Sequence, residues 1–361
     1  MLESSLSAMP AALPPSVPLA AGEDEGRDDD GCEGEDVVEL KTALRRRVWD
    51  RLEAEDAVWF PRPCHDRVPN CFGSADACWQ LLQLPVLRHA AVVKVHPSIG
   101  ATALRTALVR AGKVVLVPPY PGQDFLYMRL EASLVDDSAD LRCIGDKRIY
   151  SRWGQPLGLM EIPSIDVCVV AAVAVEAECG RRLGKGKGYG EMEYGILREL
   201  GAVTDDTIIC TLCHDLQVLG SAHFPPLEDH DLPVDIIATS TRVLEVPSER
   251  RLAKPTGVFW DCVSAQMEED IGALRHLEQI AAVDLEELRR RHAAGEMRLS
   301  KATPCPGDDE WAKIVDDAWG LSSAEEWRGW KELLSRRPGS TSGYRGNAAE
   351  KRHRGSGGSS S

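Results

Sequence analysis

The sequence predicts an α/β fold in which a mostly parallel sheet is covered by helices on both faces. Two observations carry that prediction. Short, nearly continuous runs of valine and isoleucine, "AAVVKVHP", "KVVLVPPY", "IDVCVVAAVAV", "DTIICTLCHD" and "VDIIATSTRV", have the length and composition of strands buried on both sides. Between them stand stretches of helical period such as "ATALRTALVRAG" and "EMEYGILRELG", and alternation of the two kinds builds parallel sheets.

The elements can be justified in chain order. Residues 1–36 start rich in Ala, Ser and Pro and end in "EDEGRDDDGCEGED", with too little apolar surface to offset the entropy of ordering them. They read as a disordered acidic arm. "VVELKTALRRRVWDRLEAEDA" sets Leu40, Leu44, Val48 and Leu52 on one stripe, the mark of an amphipathic helix. Strand and helix patterns then alternate to about Val246, and the core domain is assigned to residues 37–262. After "PTGVFW" the pattern turns helical, so residues 263–335 read as a helical C-terminal extension, with Trp311, Trp319, Trp327 and Trp330 as packing anchors. Residues 336–361 lack any apolar face and read as a disordered basic Gly/Ser tail.

Composition narrows the function classes. With 361 residues, 43% of them hydrophobic, the chain has ample material for a packed core. Its net charge of -15 argues against broad non-specific attraction to nucleic acid or anionic membrane, leaving only a local contact of the basic tail with RNA as an expectation. No apolar run reaches the roughly 18 residues of a membrane span, and the first residues lack a secretory pattern, so a cytoplasmic monomer is expected. The odd count of 11 irregularly spaced cysteines suits buried free thiols better than a disulfide framework.

Three stretches could carry chemistry. "RRLGKGKGYGEMEYG" fits neither a Walker loop, because no Ser or Thr follows Lys185 or Lys187, nor the G-x-G-x-x-G dinucleotide pattern. Its glycines nonetheless lead into a helix beside Arg181, Arg182, Lys185 and Lys187, a setting in which backbone amides can bind phosphate; a solvated basic loop is the alternative. "CTLCH" matches the haem-attachment pattern, but on a strand Cys210 and Cys213 point to opposite faces, which leaves His214 and Asp215 as candidates for the rim of a ligand crevice. "LEDHDLPVD" gathers Glu228, Asp229, His230, Asp231 and Asp235, which could orient Mg²⁺ or form a solvated turn.

Taken in order, the K-x-x-L-R helix (Lys41, Leu44, Arg45), the R-L-G-x-G-x-G-Y loop (Arg182 to Tyr189) and the H-D-x-P-x-D turn (His230, Asp231, Pro233, Asp235) resemble the 5-formyltetrahydrofolate cyclo-ligase family. "FPRPCHDRVPN", "VKVHP", "HDLQV", "EDHDLPVDIIATSTRV" and "KPTGVFW" resemble its methenyltetrahydrofolate synthase domain-containing branch. The resemblance covers roughly Leu40 to Leu277. It implies a three-layer α/β/α fold and the ATP- and Mg²⁺-dependent conversion of 5-formyltetrahydrofolate to 5,10-methenyltetrahydrofolate. By the same resemblance, Lys41, Arg45, Arg182, Gly184, Gly186, Gly188 and Tyr189 would bind the nucleotide, and Glu191 and Asp231 the metal.

The chain departs from the family pattern in places. Where cyclo-ligases read G-G-G-Y-Y-D, this chain reads Gly186-Lys187-Gly188-Tyr189-Gly190-Glu191. The family's Glu-Pro signature has no match, since Gln155 precedes Pro156. These departures keep a second reading open, a domain without turnover that binds nucleotide or folate or associates with RNA.

Overall fold

The computed structural model describes residues 36–299 and 306–320, with side chains through residue 318. The acidic arm before Asp36, the side chains of Trp319, Trp327 and Trp330, and the basic tail lie outside the described residues.

The first helix, Val37–Ala54, starts at Asp36, whose carboxylate accepts the Val38 N–H at 3.0 Å. Asp36 thereby satisfies one of the donors that the first turn leaves free. The helix buries Leu44, Val48 and Leu52 of the predicted stripe together with Trp49, while Leu40, in the first turn, is only half-buried.

The main sheet contains β1 (Val92–Val95), β2 (Val114–Val117), β3 (Tyr127–Leu130), β4 (Gln155–Leu157) and β5 (Val167–Ala171). A small second sheet contains β6 (Ala174–Glu176), β7 (Arg182–Leu183) and β9 (Val218–Leu219). The main sheet is completed by β8 (Ile208–Leu212), β10 (Ile236–Ala238) and β11 (Val243–Glu245). Its eight strands run β11-β10-β8-β5-β1-β2-β3-β4. From β10 to β2 all pairings are parallel, and antiparallel strands close both edges.

The valine runs are explained by what lies on each face. Val92, Leu116, Cys168, Val170, Ile209 and Ile237 pack with Met192, Ile196 and Leu197 of the helix Tyr189–Leu200, and with Leu274 and Leu277 of Ala273–Gln279. The alternate residues Val93, Val95, Val115, Val117, Val167 and Val169 pack instead with Leu81 of Ser74–Leu82, Leu104 and Leu108 of Thr102–Arg110, and Trp311 and Val315 of Asp308–Gly320. Both sets of strand positions must be apolar, so period-two alternation disappears from the sequence. This is the expected helix, sheet, helix layering.

Trp311 is a packing anchor, as expected. It is buried, and its indole N–H donates to the Leu82 carbonyl at 3.2 Å. Cys210 and Cys213 fall in the cores on opposite faces of the sheet, which removes the haem reading on geometric grounds. All cysteines among the described residues are free thiols, most of them buried.

Candidate functional site

The small sheet brings the predicted segments together beyond the carboxyl end of β5. A separate core there packs the first helix (Leu44, Val48, Leu52) against Val173, Ala174, Leu183, Leu219 and Phe224. Burial of this apolar contact sets Lys41 and Arg45, on the same helix, beside the glycine loop and the acidic turn.

The loop leaves β7 at Leu183 and enters the helix at Tyr189. Gly186 (φ 89) and Gly188 (φ 67) adopt left-handed backbone conformations, which other residues enter only with strain. Gly188 is also the N-cap of the helix and has no side-chain cap, so the first-turn amides of the helix carry no side-chain oxygen among the described residues. Buried Lys94 of β1 pairs with Glu193 at 2.5 Å and ties the start of this helix to the sheet.

Predicted site residues divide into groups that brace the loop and groups that are free to bind. Arg182 is buried and fully committed: Nε donates to the Leu232 carbonyl at 2.9 Å, Nη1 to the Ala171 carbonyl at 2.7 Å, and Nη2 meets Glu191. Arg45 donates from Nε to the Gly184 carbonyl at 2.8 Å, and its guanidinium lies against Gly186. No partner for its terminal nitrogens is found among the described residues, so one end of Arg45 holds the loop and the other remains available. Burial lowers its pKa, the Arg182 charge adds to this, and Glu191 and Asp231 oppose it.

Lys41 is buried and bridges two carboxylates of the acidic turn, Glu228 at 2.7 Å and Asp231. Asp231 also accepts the Glu228 N–H at 2.8 Å, which makes it a turn-forming residue as well. Glu228, His230 and Asp231 could together present ligand atoms to a metal ion, whereas Glu191 belongs to no such cluster among the described residues and is held by Arg182. The two carboxylates assigned to metal from the sequence therefore have separate cationic partners, Lys41 and Arg182. Asp235 sits elsewhere: it accepts the Ile209 N–H at 2.7 Å and pairs with Lys254 at 2.9 Å.

Positive charge without acidic partners gathers beside the loop. Lys185 lies 5.2 Å from the Tyr189 ring centre, and Lys147 lies 3.5 Å from that of Tyr120. Burial lowers the pKa of Lys185 and the charges of Lys187 and Arg67 lower it further, against the weaker pull of Asp270 and Glu193. Burial likewise lowers that of Lys147, with Arg105 and Lys185 adding to the effect. No ion pair to Arg67, Lys147, Lys185 or Lys187 occurs among the described residues. Crowded like charges are relieved when an anion enters.

Tyr189, assigned from the sequence to the nucleotide, donates its hydroxyl to Asp270, and burial with this bond pushes its pKa up to about 12. Asp270 ends the helix Ala265–Asp270, whose Met267 lies over Gly188. The segment read as an appended helix thus covers one side of the loop. Sequence reasoning missed Asp270 because nothing in "AQMEED" distinguishes this acid from its neighbours.

It also missed Arg105 and His96. Fully buried Arg105 donates to the carbonyls of His96 (2.7 Å), Ser98 (3.0 Å) and Gly145 (2.8 Å), which fixes the turn after β1. His96 shares a crevice at the carboxyl ends of β1 and β8 with Ser98, Cys213, His214 and Gln217. His214 therefore does line a crevice rim. Asp215 does not: it turns away to bind the Thr239 and Thr241 hydroxyls at 3.0 and 2.8 Å.

A parallel sheet covered on both faces, with a cationic glycine loop at a helix amino end beside its carboxyl edge, defines an open α/β protein. Comparison with known proteins narrows the class. A model of the 5-formyltetrahydrofolate cyclo-ligase family matches residues 39–240, and the chain belongs to that family. It is 34% identical over 284 residues to a methenyltetrahydrofolate synthase domain-containing protein of Danio rerio, covering 78% of this chain and 70% of the relative. The protein of that name from Mus musculus is 36% identical over 239 residues, covering 66% of this chain and 63% of the relative. The one from Homo sapiens is 34% identical over 248 residues, covering 68% and 64%. Among solved structures, a 5,10-methenyltetrahydrofolate synthetase from Mycoplasma pneumoniae aligns at 13% identity over 55% of this chain and 98% of its own, with a TM-score of 0.33. Among the described residues no helix is long and apolar enough to cross a membrane.

Proposed function

We propose that the chain is an ATP- and Mg²⁺-dependent 5-formyltetrahydrofolate cyclo-ligase. The observation that carries this reading is the group of Arg67, Lys147, Lys185 and Lys187 by the glycine loop, in which burial first and neighbouring positive charges second lower the pKa values of Lys147 and Lys185. Such a group is costly in the free protein and favourable once several negative charges enter, as in a triphosphate. Family membership supports a folate carrying a formyl group on N5 as the substrate.

In the proposed reaction the formyl oxygen attacks the γ-phosphorus of ATP and ADP leaves. The N10 nitrogen then attacks the activated formyl carbon. Loss of phosphate and of the N10 proton gives the methenyl product. Much of the catalysis of phosphoryl transfer lies in placing the nucleotide and neutralising charge. Lys185, Lys187 and the free end of Arg45 would hold phosphate oxygens, with the uncapped amides at Gly188 and Tyr189 beside them. Arg182 keeps the loop in shape, and Lys41 and Tyr189 act at its edges through Asp231 and Asp270.

The residues present fit a magnesium ion, which is commonly held by one or two carboxylates together with substrate phosphates. Asp231, clustered with Glu228 and His230, would offer such carboxylate ligands together with Glu228, while Glu191 in the first turn of the loop helix stays paired with Arg182. Bound there, the ion would neutralise charge on the transferring phosphoryl group.

The test is ligand-induced stabilisation. ATP with Mg²⁺ should raise Tm, and 5-formyltetrahydrofolate should raise it further in the presence of a non-hydrolysable ATP analogue. No shift with either ligand would refute the reading.

A further inference from the structure

The crevice at the carboxyl ends of β1 and β8 is lined by one side chain with a buried polar atom that has no partner among the described residues. Gln217 is committed throughout, its amide donating to the Ala172 and Val173 carbonyls at 3.0 Å and its oxygen accepting the His214 N–H at 2.8 Å. His214 Nδ1 accepts the Leu216 N–H at 3.1 Å, and the Ser74 hydroxyl donates to the Cys71 carbonyl at 2.7 Å. His96 is different. It retains only 6% exposure, and its Nε2 has no hydrogen-bond partner among the described residues.

Its tautomer follows from its neighbours. The backbone N–H of Ser98 points to His96 Nδ1 at 3.4 Å and the Ser98 hydroxyl lies 2.9 Å from the same atom. A backbone N–H can only donate, so Nδ1 accepts and the ring proton of neutral His96 resides on Nε2. Burial holds the ring far below the ordinary histidine pKa, and the charges of Arg105, Lys94 and Arg182 reinforce this. The Arg105 guanidinium, by donating to the carbonyls of both His96 and Ser98, fixes the turn that aims the ring.

A buried N–H without an acceptor is costly, and in a native fold it calls for an explanation. This one stands at the carboxyl ends of parallel strands, where open α/β sheets bind ligands. We propose that the Nε2–H of His96 is a substrate-binding group that donates a hydrogen bond to an uncharged carbonyl-type oxygen of the folate. An uncharged acceptor matches an uncharged donor, and the cations around the ring leave no reason for the imidazole to ionise. The inference rests on the cyclo-ligase reading and adds to it a residue that selects the second substrate.

The experiment measures binding of 5-formyltetrahydrofolate to the full chain by calorimetry, with a non-hydrolysable ATP analogue and Mg²⁺ present. His96→Phe should weaken folate binding by roughly tenfold or more while the affinity for the ATP analogue stays within about twofold. His96→Gln, which can place an amide N–H near the lost Nε2–H, should recover part of the loss. In the wild-type protein the ¹⁵N resonance of His96 Nε2 should shift on addition of folate, and this readout needs no variant to fold. Folate binding unchanged in His96→Phe, or an unmoved Nε2 resonance in folate-saturated protein, overturns the role of His96 alone. A wild-type chain that binds the ATP analogue but no folate overturns the cyclo-ligase reading together with this inference.

Discussion

Replacing Lys185 by glutamine should separate binding from stability. In the free protein this half-buried ammonium faces Lys187 and Arg67, and the lowered pKa reports burial reinforced by that repulsion. Because the folded state holds its proton less tightly than the unfolded chain, the charged lysine opposes folding at neutral pH. That penalty is relieved as pH rises through the depressed folded pKa toward the ordinary value of 10.5. Lys185→Gln removes it, so thermal stability without ligand should hold or rise, by at most about 0.5–1 kcal/mol after solvent screening. Against ATP the same change removes a charge-assisted contact worth about 1.5–3 kcal/mol, which corresponds to a rise in Kd of roughly 10- to 150-fold. Calorimetric titration with an ATP analogue, paired with thermal denaturation, reads both quantities. A variant that loses several degrees of Tm yet binds ATP as tightly as wild type would refute the reasoning, because Lys185 would then be structural.

Other consequences concern the scaffold. Arg105→Lys cannot reproduce the fork that meets the His96, Ser98 and Gly145 carbonyls, and should cost about 2–4 kcal/mol by urea denaturation. At Gly180 (φ 84) a Cβ would come 2.0 Å from the Val234 carbonyl oxygen, so Gly180→Ala should destabilise by more than about 2 kcal/mol in the same assay. Burial, with a smaller contribution from Arg291, lowers the pKa of His292 from 6.5 to about 4. Its contribution is complete above pH 6.5 and lost as pH falls toward 4, so His292→Gln should flatten the fall in stability measured across that window. Asp231→Asn leaves buried Lys41 with Glu228 as its acidic partner and should lower stability by about 1–3 kcal/mol, with Tm as the readout.

Much of this organisation was readable in the chain because it depends on local chemistry. The valine runs demand a sheet buried on both faces, and the Lys41 and Arg45 helix, the glycine loop and the acidic turn are contiguous motifs. Relations between distant segments were not readable. That Arg182 spends its donors on Leu232, Ala171 and Glu191 depends on how β7 crosses the end of β5, which no local pattern encodes. Asp270 reaches Tyr189 across 81 positions, and only the packing of Met267 over Gly188 brings it there. His96 stands within "VKVHP" as an isolated histidine at a strand end, which is significant only once its neighbours show that Nε2 has no acceptor among the described residues.

The central claim is that this loop and crevice still complete the cyclo-ligase reaction despite Lys187, Gly190 and Glu191 in the loop. Purified protein should be incubated with 5-formyltetrahydrofolate, ATP and Mg²⁺ while the absorbance of the methenyl product is followed, with parallel reactions lacking ATP or containing a chelator. The account predicts steady formation of the chromophore that requires both ATP and the metal and is strongly reduced in Lys185→Gln at limiting ATP. Folded protein that binds ATP and folate yet never forms the chromophore would contradict it, and would identify the chain as a binding module without turnover.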